Sequence, residues 1–176
     1  MKIVVSGASG LIGTQLVAKL SQSGHEVIRL VRRSPKAGEI QWNPKSGTLD
    51  AVALEGADAV IHLSGAGIGD KRWTTGYRKE ILDSRTDTTA LLARTIASLS
   101  RKPSVFLSGS AIGIYGARND EQLTEVSTHG TGFLAEVCEQ WEAAAKPAAK
   151  PAAKPAPMAM PGMDHSKMPG MRKPPV

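Results

Sequence analysis

A single cysteine, Cys138, excludes an intramolecular disulfide and fits a reducing compartment. No apolar run is long enough to span a bilayer. Met1-Lys2 leads into only three apolar residues before Ser6-Gly7, far short of the apolar stretch of a secretory signal. These absences point to a soluble, cytoplasmic protein with no membrane span. Excess charge is missing from most of the chain as well. Residues 1–145 hold 16 Lys+Arg against 15 Asp+Glu, whereas residues 146–176 hold six basic residues and one acid, Asp164, so the tail carries +5 of the net +6. The high isoelectric point therefore belongs to the tail, and the folded part presents no face for nucleic acid.

What is present divides the same way. A chain of 176 residues with 41% hydrophobic content has the material for one buried core. Eight of the eleven prolines and five of the six methionines fall after residue 145. The expected organisation is a domain over 1–145, a Lys/Pro/Ala linker over 146–157 and a Met/His-rich disordered tail over 158–176. Proline every four residues in KPAAKPAAKPA prevents a continuous helix and favours an extended spacer.

Within the domain, short β-branched runs alternate with amphipathic segments. Lys2–Val5, Glu26–Val31, Glu39–Trp42, Asp58–Leu63 and Ser104–Leu107 read as strands. Leu11–Gln22, Thr75 to about Leu99, and Thr131–Ala145 read as helices, and Asn43–Gly47 as a turn. Strands apolar on both faces, separated by helices, imply an α/β, Rossmann-like doubly wound parallel sheet. The expected strand order is 3-2-1-4-5 with right-handed crossovers, the later strands of a complete sheet being absent.

Gly7-Ala8-Ser9-Gly10-Leu11-Ile12-Gly13 falls between the first strand and the first helix. There a dinucleotide fingerprint has a mechanism. Gly7 permits the tight turn, Gly10 lets the backbone approach a pyrophosphate, and Gly13 lets helix and strand pack closely. The helix N-terminus offers free N–H groups to phosphates. The second strand ends Val31-Arg32-Arg33-Ser34, with no acid until Glu39. An acid there would favour NAD(H) by bonding the ribose hydroxyls. Two guanidiniums instead suit the 2′-phosphate of NADP(H).

With these residues read, the chain resembles the extended, atypical short-chain dehydrogenase/reductases of the NAD-dependent epimerase/dehydratase family. The resemblance runs through SGASGLIG at 6–13, WNPKSGTLD at 42–50, LEGADAVIHLSGAGI at 54–68, KRWTTGYRKEILDSR at 71–85, SGSAIGIYG at 108–116 and GFLAEVCEQWEAAA at 132–145. It implies that Leu63, Ser64, Gly65 and Ala66 lie against the cofactor and that Ser108 and Ser110 border the nicotinamide. In such relatives a serine positions the substrate oxygen while a tyrosine, helped by a lysine four residues on, moves the proton. This sequence has Phe133-Leu134-Ala135-Glu136-Val137 at that place, so neither group is present. Tyr115 is the nearest substitute. His62 reads as a core histidine, His129 as a loop residue near the site, and Cys138 as core rather than nucleophile. Relatives continue into a substrate-binding region, and the abrupt switch to low complexity suggests truncation, frameshift or fusion. The implied activity is that of an NADP(H)-dependent oxidoreductase, epimerase or dehydratase on an unidentified small molecule, with catalytic competence placed in doubt.

The tail supports a second expectation. Met158, Met160, Met163, His165, Met168 and Met171 recur at short intervals. Thioether and imidazole ligands select Cu(I) or Ag(I). MDHSKMPGM is similar to repeats in bacterial copper-resistance proteins. The alternatives are a metal-capturing tail on a nucleotide-binding remnant, or a disordered tail that is merely rich in methionine.

Overall fold

In the computed structural model, residues 1–149 are described; the expectations for the rest of the linker and for the methionine-rich tail lie outside them. Six strands form one sheet: β1 (Lys2–Ser6), β2 (Glu26–Val31), β3 (Glu39–Asn43), β4 (Thr48–Leu49), β5 (Ala59–His62) and β6 (Val105–Ser108). Their order is β4-β3-β2-β1-β5-β6. The five strands expected from the sequence pair in parallel and in the expected order. The addition is β4, which pairs antiparallel to β3 through Trp42–Leu49 and Asn43–Thr48. The turn-rich segment before it closes with Gly47 N–H donating to the Pro44 carbonyl, Gly47 taking a φ of 68°. A two-residue strand carries no period of its own, so its pairing is set by the turn.

The helices are α1 (Leu11–Gln22), α2 (Ala51–Leu54), α3 (Thr75–Ser98) and α4 (Phe133–Ala145). α2 is a single turn started by Asp50, whose carboxylate accepts from Val52 N–H at 2.9 Å. No helix joins β2 to β3. Lys146-Pro147 ends α4, and Lys146–Ala148 continue as a 3-10 turn packed on α3, so the linker's first residues join the fold. Ala148 reaches the core because a small side chain fits against that helix. Among the described residues no helix is long and apolar enough to cross a membrane.

Alternation along the strands splits the core between two layers. Ile3, Val5, Ala59 and Ile61 face Val17 of α1, whereas Val4, Leu30 and Val60 face Leu91, Leu92 and Ile96 of α3. Each fully buried aliphatic side chain contributes about 1.5–3 kcal/mol relative to exposure. A third cluster, Tyr77, Ile81 and Val137, locks α4 onto α3. This packing brings the C-terminal ends of β1, β5 and β6 side by side, the edge where a doubly wound sheet opens its crevice.

Candidate functional site

The site is assembled at that edge from three turns. At the end of β1, Gly7 turns with a φ of 70°, and a Cβ there would lie 2.6 Å from the backbone of Leu63. At Gly13, a Cβ would sit inside the carbonyl oxygen of Gly7. Both positions therefore need glycine on steric grounds. Gly10 differs: its missing Cβ would have only Gly7 O at 3.4 Å, leaving the loop's outer side open to a ligand. Gly10 is also the N-cap of α1 and supplies no side-chain acceptor, and the first turn holds no acid. Its own N–H is spent on Gly7 O at 3.0 Å. The N–H groups of Leu11, Ile12 and Gly13 stay free at the positive end of the helix dipole. Ser9 is exposed beside them, and Leu11 and Ile12 are 90% and 68% exposed, an apolar lip on the same turn.

The second turn follows β5. Leu63 N–H donates to Ser6 O, and Ala66 N–H donates to the Ser84 hydroxyl at 2.9 Å, pinning Leu63–Ala66 between β1 and α3. The third follows β6, where Gly109 N–H donates to His62 O and Ser108 is in register with His62. Ser64 and Gly65 thus stand beside the glycine loop, whereas Ser108 lines a groove with Phe106, Ala145 and Ala148.

The two arginines after β2 are not equivalent. Arg33 donates both guanidinium nitrogens to Glu39, at 2.7 and 2.6 Å. That fork holds the Glu39 carboxyl far down, to about 2, helped by Lys36 N–H, and pushes the Arg33 guanidinium up. Arg32 is exposed and, among the described residues, donates to no protein group. Glu39 looks distant in sequence, but parallel pairing of β2 with β3 starts at that residue.

The expected catalytic residues are placed less centrally. The Ser110 hydroxyl donates to Glu142 of α4 at 2.6 Å, a partner with no signal in the sequence. Tyr115 ends a 3-10 turn (Ile112–Tyr115) and is half-buried. Phe133 opens α4 and packs edge-to-face on Trp73 at 5.5 Å, with the Arg78 guanidinium 5.4 Å from its ring. Val137, one turn on, is buried. The positions where a tyrosine and lysine would act are therefore filled by packing groups. His129 bonds Glu139 at 2.9 Å. Cys138 is buried against Ala111 O, and burial pushes its thiol up, away from nucleophilic use. His62 lies wholly inside the sheet.

Fold and loop together define a Rossmann-type α/β domain with a glycine cradle at the head of its first helix. The chain belongs to the NAD dependent epimerase/dehydratase family, whose sequence profile matches residues 3–135. An epimerase family protein of Mycobacterium leprae is 40% identical over 147 residues, covering 83% of this chain and 47% of that protein. A solved nucleoside-diphosphate sugar epimerase from Corynebacterium glutamicum superposes with a TM-score of 0.73 at 41% identity, over 84% of this chain and 31% of its own. The human epimerase family protein SDR39U1, solved with NADPH, gives 0.72 at 32% identity, over 82% and 48%. The chain spans about half the length of the curated relatives it matches.

Proposed function

We propose that residues 1–145 bind NADP(H), in preference to NAD(H), as the coenzyme module of an oxidoreductase, epimerase or dehydratase acting on a small molecule. The observation that carries this reading is the glycine cradle: Gly7 and Gly13 have no room for a side chain, Gly10 leaves the loop's outer side open, and three free N–H groups point from α1. A pyrophosphate is the ligand such a turn suits. Arg32 meets the 2′-phosphate, while the Arg33 fork is occupied by Glu39. Ser9, Leu11 and Ile12 line the approach, and Leu63, Ser64, Gly65 and Ser108 wall the nicotinamide end. When bound, the nicotinamide supplies hydride transfer. With no tyrosine–lysine pair, proton handling falls to Ser110 through Glu142, with Tyr115 as the neighbouring phenol. The human relative's NADPH supports the choice of coenzyme.

The test is titration of the folded chain with NADPH and NADH, alongside an Arg32→Ala, Arg33→Ala variant. Saturable binding should favour NADPH about ten- to a hundredfold, the worth of one lost charge-assisted contact, and the variant should lose that preference. Absence of binding by a folded chain would refute the reading.

The tail carries a separate proposal from its composition: Cu(I) or Ag(I) capture by Met158, Met160, Met163, His165, Met168 and Met171, residues outside those described. Competition against a chromogenic Cu(I) chelator should show uptake by the full chain, lost when the five methionines are replaced by leucine. Equal behaviour of the two chains would refute it.

A further inference from the structure

Arg85 lies on α3 directly behind the crevice, and its surroundings are unusual for an arginine. It is about half-buried, and burial pulls its guanidinium below the usual arginine range. Among the described residues no carboxylate lies within ion-pair distance of it. Only one nitrogen is bonded, donating to Ile81 O at 2.9 Å, while the remaining guanidinium donors have no acceptor among the described residues. A partly desolvated cation without a counter-ion is costly unless something supplies the charge.

The neighbours fix that cation in place. Its centre lies 5.2 Å from the Trp141 ring of α4, a cation–π stack that orients the planar fork. Trp141 has its own unmet need: its indole Nε1–H is buried with no acceptor among the described residues. Buried indole donors are normally satisfied. Both groups pack directly against glycines of the crevice wall. A Cβ at Gly65 would come within 3.2 Å of the Arg85 guanidinium carbon, and a Cβ at Gly109 within 3.0 Å of the Trp141 ring. These two glycines belong to the turns that follow β5 and β6, so cation and indole sit behind adjacent walls of the same crevice.

We propose that Arg85 and Trp141 form an oxyanion-binding subsite, which takes a carboxylate or phosphate of the small-molecule substrate at the end of the crevice away from the α1 phosphate loop. The free guanidinium donors and the indole N–H supply charge-assisted bonds, and the aromatic face keeps the fork from rotating. The inference rests on the substrate reading above, and NADPH titration measures that reading independently. Arg85 binds and positions; no proton is assigned to it.

The experiment is heteronuclear NMR of the isotope-labelled full chain with saturating NADPH, following the indole N–H resonances. A Trp141→Phe variant identifies the Trp141 signal. The probes are glucuronate for carboxylate, glucose 6-phosphate for phosphate, and glucose as the neutral control. The Trp141 signal should shift saturably with one oxyanion and not with glucose. Arg85→Gln should weaken that oxyanion about ten- to a hundredfold while leaving the NADPH dissociation constant within about twofold. Arg85→Lys, which keeps charge but not the fork, should recover only part of the affinity. If Arg85→Gln fails to fold, Arg85→Lys decides through the same Trp141 signal, with a several-fold loss expected from the missing fork. No saturable shift with either oxyanion, or equal shifts for glucose, overturns the subsite while leaving the NADPH result standing. Unchanged oxyanion affinity in folded Arg85→Gln, or in Arg85→Lys where that variant decides, overturns it equally.

Discussion

The Ser6 hydroxyl and the Nδ1 of His62 meet at 2.5 Å inside the sheet, joining the last residue of β1 to the last residue of β5. On the other side of the ring, His62 Nε2 lies 3.1 Å from the Thr88 hydroxyl, which itself donates to the Ser84 carbonyl at 2.7 Å. That last bond sets the polarity of the chain. Thr88 must accept from His62 Nε2–H, so Nδ1 carries the lone pair and accepts from Ser6. A neutral imidazole satisfies every partner. Trp42 packs edge-on to it at 6.1 Å.

Acid should therefore destabilise the fold through His62. Burial pulls its pKa down to about 4 from the ordinary 6.5. The unfolded chain takes up a proton below pH 6.5 and the folded one only near 4. The neutral-state stability is therefore intact above 6.5 and falls progressively as pH drops toward 4. The shift corresponds to about 3 kcal/mol. Denaturant unfolding across that window should show the slope in the native chain, and a folded His62→Gln variant should lose it. An unaltered slope in the variant would refute the assignment.

Gly7→Ala and Gly13→Ala should each cost stability before they cost affinity. Alanine at 7 is forced to a positive φ and toward the Leu63 backbone; alanine at 13 meets the Gly7 carbonyl. Strain of this kind costs about 1–3 kcal/mol each. Thermal melts should fall in both, and NADPH titration of the folded fraction should weaken. A variant that keeps its melting temperature and affinity would contradict the cradle.

Releasing Arg33 should strengthen rather than weaken NADPH binding. Glu39 stays ionised down to about pH 2, so the fork remains occupied at every working pH. Glu39→Gln removes the competing carboxylate and leaves two guanidiniums for one phosphate. The expected gain is less than about tenfold, since exposed ion pairs are weak. NADH affinity should not change. Weaker NADPH binding in the variant would mean that Glu39 holds Arg33 in its binding position.

The free side of β6 should drive self-association. Among the described residues β6 is an edge of the sheet, and its Val105 and Leu107 are 41% and 55% exposed. Unpaired strand edges with apolar faces pair with other chains. Val105→Lys with Leu107→Lys should lower the sedimenting mass or suppress aggregation without changing the melting temperature by more than a few degrees. Unchanged association would place the contact elsewhere.

The sequence by itself determined the parallel strands, their order, the long helices and the glycine turn. Each of these has a local cause: β-branched runs of strand length, helical spacing in 11–22 and 75–98, and glycines where the chain turns. Its resemblance to the family also implied that Phe133 and Val137 occupy the places of a tyrosine and lysine in standard relatives. The tertiary structure alone decided the rest. The β3–β4 hairpin and the one-turn α2 are too short to carry a period. The Arg33–Glu39 fork exists because β2 and β3 pair in parallel after a loop, so six residues of separation become 2.6 Å. Ser110 found Glu142, and Arg85 found Trp141, because α4 packs beside α3 at the strand ends. Partners brought together by packing leave no trace in local spacing; only the folded chain sets which charge is spent and which is free.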